Sequence, residues 1–310
     1  MSAPRSVALI GFGEVGQIFA RELRALGVGR IAAFDIAFGD ATSPAARGLA
    51  DAPVVACEST AAAARGAELV ISAVTAAQTL AAARAIAGGV EPGAFVLDIN
   101  SVSPGAKQTA QAEVERAGGR YVEAAVMSAV PPHGLKAPML LGGPHARDFL
   151  AFAAPLGLRA EPFADTVGPA SAVKMSRSVI VKGLEAVVTE CLLTARHYGV
   201  ERAVLDSLAD TMKLPDWDGF ARYLISRSLA HGKRRAEEMR EAARTVAEAG
   251  IPPLMTERTV TRQDRTYALG RAHGIAPKSA LPDLLDAMLA AGREEGAGAA
   301  FDETVPGSAA

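Results

Sequence analysis

The chain has 310 residues, half of them hydrophobic and 21% charged; this is enough apolar material for a sizeable core, and the length makes two domains the first expectation. Lys and Arg number 32 against 34 Asp and Glu, for a net charge of −2, and aromatics make up only 5%; no nucleic-acid partner is expected without a basic surface or base-stacking rings. Two cysteines, Cys57 and Cys191, build neither a disulfide framework nor a zinc site, so no metal is expected and a reduced, cytoplasmic setting fits.

The first residues superficially suggest a signal peptide. They run straight into a glycine motif, and Val7-Ala8-Leu9-Ile10 reads as a buried strand. Further strands are expected at Ile31 to Asp35, Pro53 to Ala56, Leu69 to Val74, Phe95 to Ile99 and Tyr121 to Val126. Helices at Ala76 to Ala87 and Pro104 to Ala117 alternate with them. The pattern is that of an α/β fold, an N-terminal doubly wound parallel sheet covered on both faces. Met139 to Leu141 and Leu158 to Phe163 would add edge strands. No stretch reaches the roughly 20 apolar residues of a membrane span, so no membrane partner is expected.

The second half changes character. From Gly168 to Tyr198 apolar residues recur at helical spacing: Val173, Val179, Ile180, Leu184, Val187, Val188, Leu192. A helix of about 30 residues would be about 45 Å long, a bridge into an all-α domain. Two helices are expected in Ala221 to Ala249, broken at Gly232 and stopped by Gly250-Ile251-Pro252-Pro253. Two more follow at Leu254–Ala272 and Leu281–Ala291. The expected division is 1–166, 167–293 and a disordered tail over 294–310.

Gly11-Phe12-Gly13-Glu14-Val15-Gly16 fits G-x-G-x-x-G. It follows a strand and opens a helix, and Asp35 ends the next strand 19 residues after Gly16. The glycines permit a tight turn and let backbone N–H groups approach a pyrophosphate at the helix N-terminus. Asp35 would accept hydrogen bonds from the adenosine ribose hydroxyls and repel the extra phosphate of NADP. With no Arg following it, NAD is favoured. Val74, Thr75 and Asn100, at the ends of later strands, complete the expected cofactor contacts.

Four ordered blocks resemble the β-hydroxyacid dehydrogenases, the group containing 3-hydroxyisobutyrate and 6-phosphogluconate dehydrogenases. They are the glycine motif, Asp98-Ile99-Asn100-Ser101-Val102-Ser103-Pro104, Glu123-Ala124-Ala125-Val126-Met127-Ser128-Ala129, and Gly168-Pro169-Ala170-Ser171-Ala172-Val173-Lys174 with Ser178. The resemblance covers roughly residues 5–200 and implies a Rossmann domain, hydride transfer with a nicotinamide cofactor, and Lys174 as the catalytic acid and base. It also implies substrate contacts in the third block, at Met127, Ser128 and Ala129, with help from Ser101. There are departures. Met127-Ser128-Ala129 stands where the group has Ser-Gly-Gly, Ala170 replaces a glycine, Ser178 replaces a carboxamide, and Glu237-Glu238-Met239 replaces Lys-Asp-Leu. The reaction type stands and the substrate is open.

Oxidising an alcohol requires a base for the hydroxyl proton, and the reverse reduction requires an acid. A lysine does both when burial and a nearby positive ring bring its pKa toward neutrality. The expected substrate is a small carboxylate. Ser178 lies one turn after Lys174 and faces either the substrate or the carbonyl four residues back. On a continuous helix His231, Arg234 and Glu238 share a face, which is either a clamp for a second anionic group or a solvated surface. Trp217, Phe220 and Tyr223 read as core or dimer packing, and a homodimer or larger homo-oligomer is expected. Two other readings stand: an imine reductase-like enzyme, against which Lys174 and Asp35 both speak, and a non-catalytic NAD-binding protein.

Overall fold

The computed structural model describes residues 4–177, 195, 198–200, 203–204, 206–208, 217–248 and 250–296. Contacts divide the chain into two compact units, Met1–Ile180 and Val181–Ala310.

The first unit alternates strand and helix in chain order: β1 (Ser6–Ile10), α1 (Glu14–Ala25), β2 (Arg30–Phe34), α2 (Pro44–Gly48), β3 (Val55–Ala56), α3 (Thr60–Ala64), β4 (Leu69–Ser72), α4 (Thr79–Ala87), β5 (Phe95–Asp98), α5 (Pro104–Arg116), β6 (Arg120–Val126), β7 (Met139–Gly142), α6 (Ala146–Ala153), β8 (Ala160–Ala164) and α7 (169–177). The strands form one eight-stranded sheet in the order β3-β2-β1-β4-β5-β6-β7-β8, parallel except where β7 pairs antiparallel with β6. Strands β4 and β5 are buried along their whole length, as the apolar runs Leu-Val-Ile and Phe-Val-Leu require when helices cover both faces. One core layer holds Leu9, Phe19, Ile71, Leu97 and Phe149, and the other Ile10, Val70, Ile86, Val96 and Tyr121.

Local chemistry starts the helices. Ser43, Ser59 and Ser103 cap α2, α3 and α5 by accepting a backbone N–H, and Pro44 and Pro104 occupy the first turn, where no donor is needed. Between β1 and β4 the chain order reverses: β2 and β3 lie to one side, β4 and β5 to the other. A crevice opens at such a switch point, beyond the C-terminal ends of the strands.

The second unit contains α8 (Trp217–Glu248), α9 (Leu254–Ala272) and α10 (Leu281–Gly296). Three expectations change. The helix does not break at Gly232; α8 runs through it because α9 packs there so closely that a Cβ would meet the Gln263 carbonyl oxygen at 2.5 Å. The tail does not begin at Glu294: α10 continues to Gly296, and Glu294 reaches His273 Nδ1 at 3.3 Å. Cys57 is not in a buried strand, since β3 is a two-residue edge strand with both residues exposed. Residues 178–194, including Ser178 and Cys191, and residues 297–310 lie outside the described residues.

Candidate active site

The glycine turn connects β1 to α1. Gly11 has φ +94°, and a Cβ there would lie 2.2 Å from the Ala73 carbonyl oxygen, so only glycine fits. Gly16 packs against the turn itself, its Cβ position 2.3 Å from the Gly11 oxygen. Gly13 differs: nothing lies within 4 Å of its Cβ position, and no side chain caps α1. The first N–H groups of that helix therefore meet open space, where the dipole favours an anion. Gly11, Gly13, Asp35, Val74 and Thr75 all line one cleft of about 470 Å³ at the switch point. Ile36, Ser59, Thr60 and Gln78 join them, residues that sequence reasoning missed because no motif marks them. Ile36 is 76% exposed, an apolar surface beside the Asp35 carboxylate.

The other motif residues have different tasks. The Phe12 ring is buried and packs edge-on against Phe38, so only its backbone belongs to the turn. Glu14 is exposed and Val15 is half-buried. Asp35 accepts from Phe12 N at 2.7 Å and from Ala37 N at 2.9 Å, which ties β2 to the glycine turn. A carboxylate has about four acceptor positions, so each oxygen keeps one for a ribose hydroxyl. Asn100 is buried; its Oδ1 accepts from Val74 N at 2.7 Å and its Nδ2 donates to Ser72 Oγ at 2.9 Å. Its side chain holds the cleft-lining Val74 segment in place.

A row of paired residues crosses the sheet: Ser72 beside Asp98, Asp98 beside Glu123, Glu123 beside Gly142. Asp98 and Glu123 are both buried. From α5, the wholly buried Lys107 Nζ reaches Asp98 Oδ1 at 2.8 Å and the Asp98 carbonyl oxygen at 2.7 Å. The Tyr121 hydroxyl donates to Asp98 Oδ2 at 2.7 Å, and Asn100 N donates to Oδ1 at 2.9 Å. Burial lowers the Lys107 pKa from the usual lysine range, while Asp98 and, more weakly, Glu123 pull it back up. Burial, reinforced by Asp98, raises the Tyr121 pKa far above the usual phenol value, so its hydroxyl stays a donor. Asp98 stands in the second block, but nothing in the sequence distinguishes Lys107 from a surface lysine.

Glu123 opens the third block, and its carboxylate receives Gly168 N and Ser171 N, each at 2.7 Å. These are the first amides of α7, the helix that carries Lys174. Lys174 lies three residues after Ser171, and its side chain is half-buried. In the loop after β6, Met127 and Ser128 are half-buried and Ala129 is exposed, as is Ser101 after β5. The Met127 amide is already engaged by Pro138 O at 2.8 Å, and Ser128 Oγ contacts the Ala129 carbonyl at 3.1 Å. Glu22 of α1 anchors the far side of this loop by accepting from Leu135 N at 2.7 Å.

In the second unit, His231 lies on α8 and is exposed. Arg234 and Glu238 belong to the same helix, but their side chains lie outside the described residues, as do those of Trp217 and Phe220. Tyr223 is 53% exposed and stacks loosely with Arg227, so it is not core in the single chain. Among the described residues no cluster of three or more His, Cys, Asp or Glu is arranged to hold a metal, and no helix is long and apolar enough to cross a membrane.

Residues 6–147 match the model of the NAD binding domain of 6-phosphogluconate dehydrogenase, and residues 195–266 match a domain of unknown function, DUF1932. A conserved hypothetical protein from Sinorhizobium meliloti is 33% identical, with 94% of this chain and 97% of that chain covered and a TM-score of 0.56. A conserved protein of unknown function, whose structure was described as similar to 3-hydroxyacid dehydrogenases, is 31% identical over 87% of this chain and all of its own, with a TM-score of 0.54. An imine reductase from Myxococcus stipitatus in complex with NADP+ has a TM-score of 0.65 over 92% of this chain and 99% of its own; at 15% identity the likeness is one of fold.

Proposed function

Because the chain belongs to the 3-hydroxyacid dehydrogenase-like family, with the NAD binding domain of 6-phosphogluconate dehydrogenase ahead of a DUF1932 domain, we propose that it is an NAD-dependent oxidoreductase acting on a small hydroxy acid or the corresponding carbonyl acid. The observation that carries this reading is the cleft in which the glycine turn, the uncapped start of α1 and the Asp35 carboxylate converge. These residues fit a dinucleotide. Gly13 leaves open the space a pyrophosphate needs, the α1 amides supply donors, and Asp35 supplies acceptors for ribose hydroxyls. The bound nicotinamide supplies or accepts the hydride. Lys174 takes the hydroxyl proton when the alcohol is oxidised and returns it to the oxygen in the reverse direction. Ser101 and the Met127–Ala129 loop receive the substrate carboxylate, with the two serine hydroxyls as side-chain donors, Ser128 Oγ turning from the Ala129 carbonyl to do so. The exposed Tyr223, Leu254 and Leu289 of the second unit support a homodimer.

Asp35 favours NAD over NADP. A 2′-phosphate would bring negative charge against a carboxylate whose neighbour is Ile36 rather than a cation. Asp35→Ala is expected to narrow the preference for NADH over NADPH by about tenfold, a change of roughly 1.4 kcal/mol, in fluorescence titrations of the two reduced cofactors. A wild type that already binds NADPH more tightly overturns the ribose argument. The fold likeness to an imine reductase supports a second reading, in which a cyclic imine replaces the carbonyl acid. Faster reduction of a cyclic imine than of any keto acid would favour it.

A further inference from the structure

We propose that Glu123 is a positioning residue for catalysis, setting the start of α7 and thereby the place of the Lys174 amine; this rests on the reading of Lys174 as the proton-transfer group. The start of a helix leaves its first N–H groups without partners. They are ordinarily met from within the helix: a side chain at the N-cap takes the amide at the third position, and a Glu at the third position reaches back to the N-cap amide. α7 can do neither. Its N-cap is Gly168, with φ +124° and no side chain, and its third residue is Ser171, which is buried and has no carboxylate. Both amides are instead taken by a single carboxylate from β6, 45 and 48 residues away in the chain: Gly168 N to Oε2 and Ser171 N to Oε1, each at 2.7 Å.

The surroundings are shaped for this one group. Glu123 is 0% exposed. Its cross-strand partner is Gly142, where a Cβ would lie 2.3 Å from Glu123 Oε2. Asp98, paired with Glu123 across β5 and β6, holds the buried Lys107, and Lys107 responds electrostatically to Glu123. Glu123 is therefore clamped between the sheet and the helix it starts. Lys174 follows Ser171 by less than one turn, so a shift in how α7 begins is carried to the amine. Displacement of a reacting group by about 1 Å can cost about 100-fold in rate.

The test uses the full chain with Glu123→Ala, Glu123→Gln and Gly142→Ala, beside Lys174→Ala. Three quantities are read: hydrogen exchange of the peptide covering 168–177, NADH affinity, and kcat with KM. In Glu123→Ala the 168–177 amides should lose protection and kcat should fall about 10- to 100-fold, with NADH affinity within about twofold of wild type. Gly142→Ala should reproduce this by displacing the carboxylate. Glu123→Gln, of the same shape and with one acceptor oxygen left, should recover part of kcat and carries the test if the alanine variant does not fold. Unchanged protection of 168–177, or unchanged kcat per folded molecule despite its loss, overturns the proposal. Undiminished turnover in Lys174→Ala overturns the reading of Lys174 itself, whatever the Glu123 variants do.

Discussion

Lys174→Ala is expected to lower turnover by about 10²–10⁴-fold, equivalent to roughly 3–5 kcal/mol of barrier, and to leave NADH affinity near wild type. The split follows from where the residues sit. The dinucleotide cleft is lined by the glycine turn, the end of β2 and the segment after β4, whereas Lys174 is on α7 and does not line it. On the proposed function, losing the amine removes proton transfer and leaves the pyrophosphate and ribose contacts intact. The kinetic signature is a fall in kcat and kcat/KM together. Lys174→Arg should rescue little, because a guanidinium keeps its proton at any working pH. A pH–rate profile of residual activity should lose the limb that reports the amine. Turnover retained within a few-fold removes Lys174 from the mechanism.

Lys107→Met is expected to destabilise the first unit by about 3–5 kcal/mol, because it leaves the Asp98 carboxylate buried without its cation. The neutral donors Tyr121 and Asn100 N remain, but they do not balance the charge. For a domain of this size the loss corresponds to a fall in Tm of roughly 6–20 °C. Thermal and urea unfolding measure it. Adding Asp98→Asn to Lys107→Met should recover part of the loss, since the unpaired charge is then gone. The pH dependence has a defined sign. The folded pKa of Lys107 lies below its unfolded value of about 10.4 because burial disfavours the charged amine. Between those two values the unfolded chain binds more protons, so the contribution of Lys107 to stability rises with pH through that window and is smallest below it. A cost under about 1 kcal/mol would mean that the two groups are not a charged pair.

The dinucleotide-binding half was legible because its signals are local. The glycines follow a strand, Asp35 ends the next one, and the apolar runs of β4 and β5 sit between helical segments. α9 was legible for the same reason: Pro252-Pro253 precedes its first residue, and its expected and observed limits coincide at Leu254 and Ala272. What escaped depends on contacts between distant segments. Gly232 reads as a break until α9 is seen passing against it. Lys107 reads as one more polar residue on a helix until α5 is laid over the end of β5, which buries the amine against Asp98. The third block drew attention to Met127, Ser128 and Ala129 as substrate contacts, and nothing local in it showed that the side chain of its first residue, Glu123, bonds to amides 45 and 48 positions downstream. Asn100 stood out as a cofactor contact; what the sequence did not reveal is that its side chain also bonds to Val74 N and Ser72 Oγ.

The most direct test is absorbance of the reduced nicotinamide on mixing the purified chain with NAD and a panel of small 2- and 3-hydroxy acids, and with NADH and the matching keto and aldehyde acids. The account predicts cofactor turnover with at least one acid of the panel, faster with NAD(H) than with NADP(H). Saturable NADH binding with no absorbance change on any hydroxy, keto or aldehyde acid would contradict it and would mark the chain as a dinucleotide-binding protein without this chemistry.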